Sequence, residues 1–272
     1  HAELVFSPGP DGRTFISHQR VGYPYHITRP FYLDKKPEGF LTLYMQSVSG
    51  GIYRGEKLLM NMTAETGSFA QVTTQSATIV HRMKEDGVAR QDVALRVAAG
   101  AFFEYLPDPL ILFPGASFEN KLRVIADPGA TIIICDAFSQ HDSREEGGCF
   151  RRLVSDTRIE DPSGKLLALD RFDIDGNVEE AHLSSSEDCY PDHGILMVLH
   201  RGFPIDELVT EIRSSLMNCE GIYSGVSMMP FNSGVWVRIL AQDGHSLRTA
   251  LNAAWVTARY KISGTKPNKR PK

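Results

Sequence analysis

Acidic residues stand inside apolar stretches of this chain, at positions where a plain core strand would not place them. Glu104 lies among Phe102, Phe103 and Tyr105, and Asp108 stands between two prolines that cannot donate backbone hydrogen bonds. Burying an unpaired charge is costly, so such a carboxylate either faces water or is held inside the fold for a purpose. The local sequence does not decide between the two.

A second candidate for chemistry is the polar run that follows the apolar segment Thr131–Ile134. Thiolate, carboxylate and imidazole groups occur there within a dozen residues, at Cys135, Asp136, His141, Glu145 and Glu146. Such a set can bind a borderline metal such as nickel or zinc, although a polar surface loop is the favoured interpretation. Similar residue types recur at His182, Glu187, Asp188, Cys189 and His193, where the acidic composition alone explains them.

Glycines and threonines form two further candidate sites. Glu56 closes a turn rich in glycine, for which a structural role is favoured over phosphate binding because no helix follows it. Thr73 and Thr74 begin a polar run that could line an interior channel or pair across a sheet. Both alternatives stay open for the threonines.

The common signatures of nucleotide-binding and hydrolytic enzymes do not occur in the sequence. It has no nucleophile-elbow GxSxG, no phosphate-binding GxxxxGK[ST], no GxGxxG after a strand and no HExxH. The nine histidines are scattered singly, a pattern more typical of structural hydrogen bonding than of metal ligation.

Composition favours a soluble, cytoplasmic protein of 272 residues with no nucleic-acid or membrane partner. The net charge is −4, no apolar run is long enough to span a bilayer, and no secretory signal is visible. Four separated cysteines without a CxxC motif indicate thiols in a reducing compartment. Basic residues cluster near the end, and we expect a solvated, disordered tail over residues 263–272.

The pattern from Arg13 to about Asp173 predicts a mainly β protein. Short β-branched and aromatic runs alternate with turns such as Asp127-Pro128-Gly129, which favours a sandwich, barrel or solenoid over βαβ units. The predicted strands are Thr14–Ser17, Gly39–Gln46, Lys57–Thr63, Phe69–Thr73, Thr78–Arg82, Asp92–Val97, Leu110–Phe113, Lys121–Ile125, Thr131–Asp136, Arg151–Glu160 and Leu166–Ile174.

Apolar residues at helical spacing predict two helices near the end of the chain. These are Ile205–Met217, behind Pro204, and Ser246–Tyr260, with Ser246 as its N-cap. Between them Gly234–Ala241 predicts a buried strand that contains Arg238. We therefore expect one domain, with a β body over about 13–200 and a small α/β part over about 201–262. The acidic segment Asp173–Asp192 is expected to be an exposed loop.

Four blocks in order give the chain a resemblance to the urease accessory protein family called UreD, or UreH in some bacteria. They are GGIYRGEKL at Gly50–Leu58, the run from Gly67 to Thr78, EYLPDPLILFPGASF at Glu104–Phe118, and VRILAQDG at Val237–Gly244 with the helix after it. The resemblance extends from about Arg13 to Thr265, with the order and spacing of the family.

This resemblance implies a β-rich maturation factor that is not an enzyme and holds no tightly bound cofactor. Members bridge apo-urease to the partner UreF and, through it, to the nickel-delivering GTPase UreG. Nickel is expected to pass transiently through an internal tunnel, where weak oxygen ligands bind and release a divalent cation.

By position, the resemblance assigns Glu56 and Glu104 to the acidic residues of the family, and Thr73 and Thr74 to its threonine pair. With Asp136, His141, Glu145 and Glu146, the acidic residues make a candidate nickel path, and the threonines line the tunnel. The chain departs from the family where a Gly-Arg is usual, since it has Phe138-Ser139-Gln140-His141 there. His141 could compensate as a ligand.

Two other classes of function remain as alternatives. A metal-dependent hydrolase would use Asp136, His141 and Glu145 as ligands, but it lacks a ligand-spacing motif. A carbohydrate-binding module would need exposed aromatic platforms, whereas the aromatic residues here lie mostly in core-like runs such as Phe102, Phe103 and Tyr105.

Overall fold

Strands of the chain build two sheets that face each other, and two helices cover the outer face of one of them. The computed structural model describes residues 1–84, 86–142, 148–176, 190–200, 202 and 204–271. The elements are β1 (Ala2–Pro8), β2 (Thr14–Val21), β3 (Tyr25–Ile27), β4 (Leu41–Ser47), β5 (Lys57–Ala64), β6 (Phe69–Thr74), β7 (Thr78–Val80), β8 (Ala89–Val97), β9 (Phe102–Leu106), β10 (Leu110–Leu112), β11 (Ser117–Ala126), β12 (Thr131–Gln140), β13 (Arg152–Glu160), β14 (Leu166–Asp175), β15 (Asp192–Leu199), α1 (Ile205–Leu216), β16 (Ile222–Met228), β17 (Gly234–Ala241) and α2 (Gly244–Ser263).

The chain winds from one sheet to the other. In the seven-stranded sheet the order is β14-β13-β11-β8-β5-β1-β2, and in the ten-stranded sheet the main path is β16-β17-β15-β12-β9-β6-β4-β3. Consecutive strands β4, β5 and β6 fall alternately in the two sheets, and neighbours such as β5 and β8 or β6 and β9 pair in parallel. This solenoid-like winding confirms the predicted fold class.

Apolar residues alternate with polar ones along the strands, and the apolar side chains form a core between the two sheets. On β8, Val93, Leu95 and Val97 are buried while the residues between them are exposed. Side chains alternate between the two faces of a strand, so one face of each sheet turns inward. On the other face of the ten-stranded sheet a second apolar cluster joins β12, β15 and β17 to the helices.

The helices follow the predicted apolar stripes, with one correction at a cap. On α1, Leu208, Val209 and Ile212 are among the buried residues that pack against the sheet. The cap of α2 is Asp243, whose carboxylate accepts a hydrogen bond of 2.8 Å from the backbone N of Ser246. The prediction of Ser246 as the cap is wrong, because Ser246 donates to the cap residue.

Arg238 lies on the predicted strand β17, and its side chain is half-exposed. Two expectations from the sequence differ in the structure. Asp192, expected in an exposed loop, begins β15 and is 3% exposed. Arg270, expected in a solvated tail, is almost buried because its guanidinium pairs with Asp34. Among the described helices, none has the length and apolar character needed to cross a bilayer.

Candidate functional site

A small cavity of about 60 Å³ lies between the sheets, near the middle of the fold. It forms because strands of both sheets direct polar residues inward among the apolar ones. Thr73 and Thr74 of β6 face it from one sheet, Asn120 of β11 faces it from the other, and Asp108 and Asp136 complete its polar lining. We call this space the central cavity.

A second cavity of about 290 Å³ adjoins the central cavity and shares Asn120 and Asp136 with it. It continues between β13 and β14 on one side and β15 and β17 on the other. His193 and Arg238 are part of its lining. Asp136 therefore stands where the central and second cavities meet.

A groove of about 810 Å³ beneath α2 adjoins the central cavity on its other side. The two spaces share Thr73, Pro107, Asp108 and Cys135 as common walls. The second cavity, the central cavity and the groove are thus neighbouring spaces with common walls. We call this series the interior passage.

Asp136 is held in place by two hydrogen bonds from the opposite sheet. Ser155 Oγ donates to its Oδ2 at 2.6 Å, and Asn120 Nδ2 donates to its Oδ1 at 3.2 Å. Burial raises the pKa of Asp136, against the effect of these hydrogen bonds, and the nearby Asp170 raises it further. Burial therefore favours the protonated, neutral form of this carboxyl group more than solvent exposure would.

The two threonines hold the loop after β9 against β6. Thr73 Oγ1 donates to the carbonyl oxygen of Leu106 at 2.7 Å, and the backbone N of Asp108 donates to Thr74 Oγ1 at 2.8 Å. Both hydroxyl groups thus have partners in the chain while their side chains line the central cavity. The structure therefore shows contacts across the sheet at both positions, in addition to their place in the lining of the central cavity.

Glu104 lies apart from the linings of the interior passage. It is 0% exposed, and its Oε1 is 2.7 Å from Nη1 of the equally buried Arg259, an ion pair without the angles of a hydrogen bond. Gln71 Nε2 donates to Glu104 Oε2 at 2.9 Å and Trp255 Nε1 donates to Oε1 at 3.2 Å. Its carboxylate is therefore occupied by side chains of β6 and α2.

Of the other predicted path residues, those that the structure describes are not gathered around Asp136. Glu56 accepts a hydrogen bond of 2.9 Å from the backbone N of Tyr53 in its own turn. His141 is exposed, with its ring 5.9 Å from that of Phe113. Glu145 and Glu146, together with His182, Glu187, Asp188 and Cys189, lie outside the described residues.

The described part of the chain contains no group of three His, Cys, Asp or Glu side chains arranged to hold a metal ion. Asp136 faces the interior, whereas His141 faces solvent. The ligand set of the hydrolase alternative is therefore not brought together where the structure describes it.

Comparison with known proteins shows which family the chain belongs to. The profile of the family described as UreD urease accessory protein matches residues 1–271. The chain belongs to the UreD family. A urease accessory protein UreD 1 of Pseudomonas syringae pv. syringae is 36% identical over 271 residues, which cover 100% of this chain and 95% of the relative. A UreD 1 of Methylorubrum extorquens is 38% identical over 273 residues, with 100% and 91% covered.

Membership in the UreD family gives this protein a role in urease maturation. The relatives carry the name of accessory proteins, which agrees with a non-catalytic part in that process. The sequence singled out Asp136, Thr73 and Thr74, which the structure places in the lining of the interior passage, but it did not single out Asn120 and Ser155. Nothing in the local sequence marks these two residues, because they contact Asp136 only when the two sheets pack against each other.

Proposed function

We propose that this UreD-family protein is a non-catalytic scaffold that conducts nickel ions through the interior passage to apo-urease. It bridges apo-urease to UreF and, through UreF, to UreG. The observation that carries the proposal is the position of Asp136, a carboxylate at the junction of two adjoining cavities. An ion that moves along the passage must go by this group.

Oxygen ligands are spread along the passage. Thr73 and Asp108 lie on walls that the central cavity shares with the groove, Thr74 lines the central cavity, and Asp136 lies at its junction with the second cavity. Few oxygen ligands at each step bind a divalent cation weakly, and a cargo ion must be released as readily as it is bound. The spacing of these groups suits transit better than storage.

The second cavity ends at a charged pair. Arg238 Nη2 donates to Asp170 Oδ1, which joins β17 of one sheet to β14 of the other. Burial raises the pKa of Asp170 while Arg238 acts to lower it. Arg238 of this pair is part of the lining of the second cavity, and the charge of Asp170 acts to raise the pKa of Asp136.

The test is the substitution Asp136→Asn, which keeps the size of the side chain and removes its charge. In cells that express urease at limiting nickel, we expect urease activity to fall at least tenfold, because the passage loses the ionisable ligand at the junction of the two cavities. The tagged variant should still recover UreF and urease subunits, as judged by mass spectrometry of the purified complex.

Asp92→Asn is the matched control. Asp92 is exposed on β8, the strand whose Gln91 lines the central cavity, and points to the outer face of the sheet. This variant should activate urease normally. Full activation by Asp136→Asn at limiting nickel would count against transit past Asp136, and failure of the unmodified chain to recover UreF or urease would count against the scaffold.

A further inference from the structure

The chain does not leave the fold after α2 but turns back across it. Gly264 has a φ of 70° and its backbone N donates to the carbonyl oxygen of Tyr260 at 2.8 Å, the left-handed turn that often ends a helix. Residues 264–270 then run beside α2, and Pro267–Arg270 form part of the wall of the groove. We call residues 264–270 the C-terminal strap.

The strap is anchored at Asp34. Arg270 forms a two-pronged ion pair with this carboxylate, with Nη2 to Oδ2 at 2.6 Å and Nη1 to Oδ1 at 2.9 Å. The backbone N of Asn268 donates to Oδ1 at 2.9 Å. The side chains of Asp34 and Arg270 are only 2% and 8% exposed, and the guanidinium lies 5.2 Å from the ring centre of Trp255.

Beneath Arg270 lies the floor of the groove. Arg270 Nε donates to Gln71 Oε1, and Gln71 in turn donates to Glu104. Gln71 and Thr73 are two residues apart on β6, so they share a face roughly 7 Å apart along the strand. Arg270 therefore contacts a residue that neighbours Thr73 on the same face of β6. Thr73 lines both the groove and the central cavity.

The anchor can open without leaving a buried charge unpaired. Asp34 Oδ2 also accepts from Arg259 Nη2 at 2.9 Å, so this carboxylate keeps a cationic partner when Arg270 departs. Arg270 itself would pass into water. Release therefore costs less than breaking an isolated buried ion pair, where the remaining charge is left uncompensated.

We propose that the C-terminal strap is a gate at the groove end of the interior passage. When Arg270 is docked, it covers Gln71 and narrows the approach to Thr73 and Cys135. When Arg270 is released from Asp34, that approach opens to solvent. The purpose of the gate rests on the proposed nickel transit, but its existence does not, and it can be tested without urease or nickel.

Cys135 is a built-in reporter for the gate. The residue is 7% exposed and lines both the groove and the central cavity. In the full chain with Cys149→Ser, Cys189→Ser and Cys219→Ser, the rate at which Ellman's reagent labels Cys135 measures how open the approach is. We expect Arg270→Ala to raise this rate at least tenfold under native conditions.

Two variants and one further measurement keep the interpretation unambiguous. Lys266→Ala removes an exposed charge from the same strap and should label at the parent rate. Arg270→Lys keeps the charge but loses the donor to Gln71, so an intermediate rate is expected. Equal rates in Arg270→Ala and the parent would overturn the proposal. So would faster labelling accompanied by a loss of amide hydrogen-exchange protection in β11, which would indicate general unfolding.

The result can be separated from that of the proposed function. A gate that fails this test leaves the effect of Asp136→Asn on urease activation as it stands. A normal activation by Asp136→Asn would remove the purpose of the gate while the labelling rates of Cys135 would still establish the motion.

Discussion

Two fully buried charges, Glu104 and Arg259, fasten α2 to the ten-stranded sheet. The guanidinium of Arg259 lies 3.7 Å from the ring centre of Phe40 and 5.0 Å from that of Phe102. Aromatic faces attract a cation, and Glu104 and Asp34 neutralise it. From the sequence, the apolar surroundings of Glu104 indicated that its carboxylate is held inside the fold for a purpose. In the structure it forms an ion pair with Arg259.

Substitution of Arg259 should be among the most destabilising changes in the chain. Arg259→Met leaves Glu104 buried without its cation, and loss of one partner of a buried pair costs about 3–5 kcal/mol of unfolding free energy. Glu104→Gln should cost less, since Arg259 keeps Asp34. Urea denaturation of both single variants and the double variant measures the coupling.

The double variant is expected to be more stable than the sum of the two single effects predicts, since it removes both charges of the pair. Strict additivity would show that Arg259 and Glu104 do not stabilise each other. Leu59→Ala is a suitable control, because Leu59 is exposed on β5 and touches neither residue's charge.

At the scale of elements, the start of α2 depends on one carboxylate. Asp243 holds the backbone N of Ser246, and this interaction lowers the pKa of Asp243. Asp243→Ala should lower the unfolding free energy by about 1 kcal/mol, and Asp243→Ser should restore most of it. Ser246→Ala keeps the backbone donor and should cost less than Asp243→Ala in the same urea denaturation series. The reverse order would make Ser246 the cap.

The helices and strands also show which parts of the fold can be predicted from the sequence. Runs with strong period, such as the stripe of α1 and the alternation in β8, could be located from their residues alone. Strand β16 escaped prediction because it lies at the edge of its sheet and buries only Val226. A strand that buries one residue has no apolar period to detect.

The site residues also differ in whether the local sequence could identify them. Asp136 could be proposed because it follows an apolar strand, and Thr73 and Thr74 because they stand together in a polar run. Asn120 and Ser155 could not, since their part in the passage comes from the register of β11 with β13 and from the facing of the two sheets. Arg270 was expected in solvent because the carboxylate that buries it, Asp34, is distant in the chain.

At the scale of the whole molecule, buried carboxylates act on stability in opposite directions as pH changes. Burial tends to raise the pKa of Asp34, but hydrogen bonds and ion pairs with Arg270 and Arg259 hold it below its usual value. Its contribution is present at neutral pH and is lost as pH falls below the ordinary range of aspartate. Burial raises the pKa of Asp136, Asp170 and Asp192, so these groups favour the folded state most at low pH.

Asp192 offers the cleanest test of the second effect. Burial raises its pKa to about 6, the charge of Asp243 adds to this, and a hydrogen bond of 2.9 Å from Ser139 Oγ opposes it. The folded state holds this proton between about pH 4 and 6 while the unfolded chain releases it. Stability therefore falls as pH rises through that window.

Asp192→Asn removes this cost, because the amide oxygen still accepts from Ser139 and no charge is buried. The pKa of Asp192 rises by about 2 units, and at about 1.4 kcal/mol per unit we expect the variant to be more stable than the parent by about 3 kcal/mol at pH 7.5. The difference should shrink towards zero near pH 4, as measured from urea midpoints. Asp86→Asn removes a charge from an exposed position and should show no such trend. A gain for Asp192→Asn that is equal at both pH values would mean that titration of Asp192 is not its source.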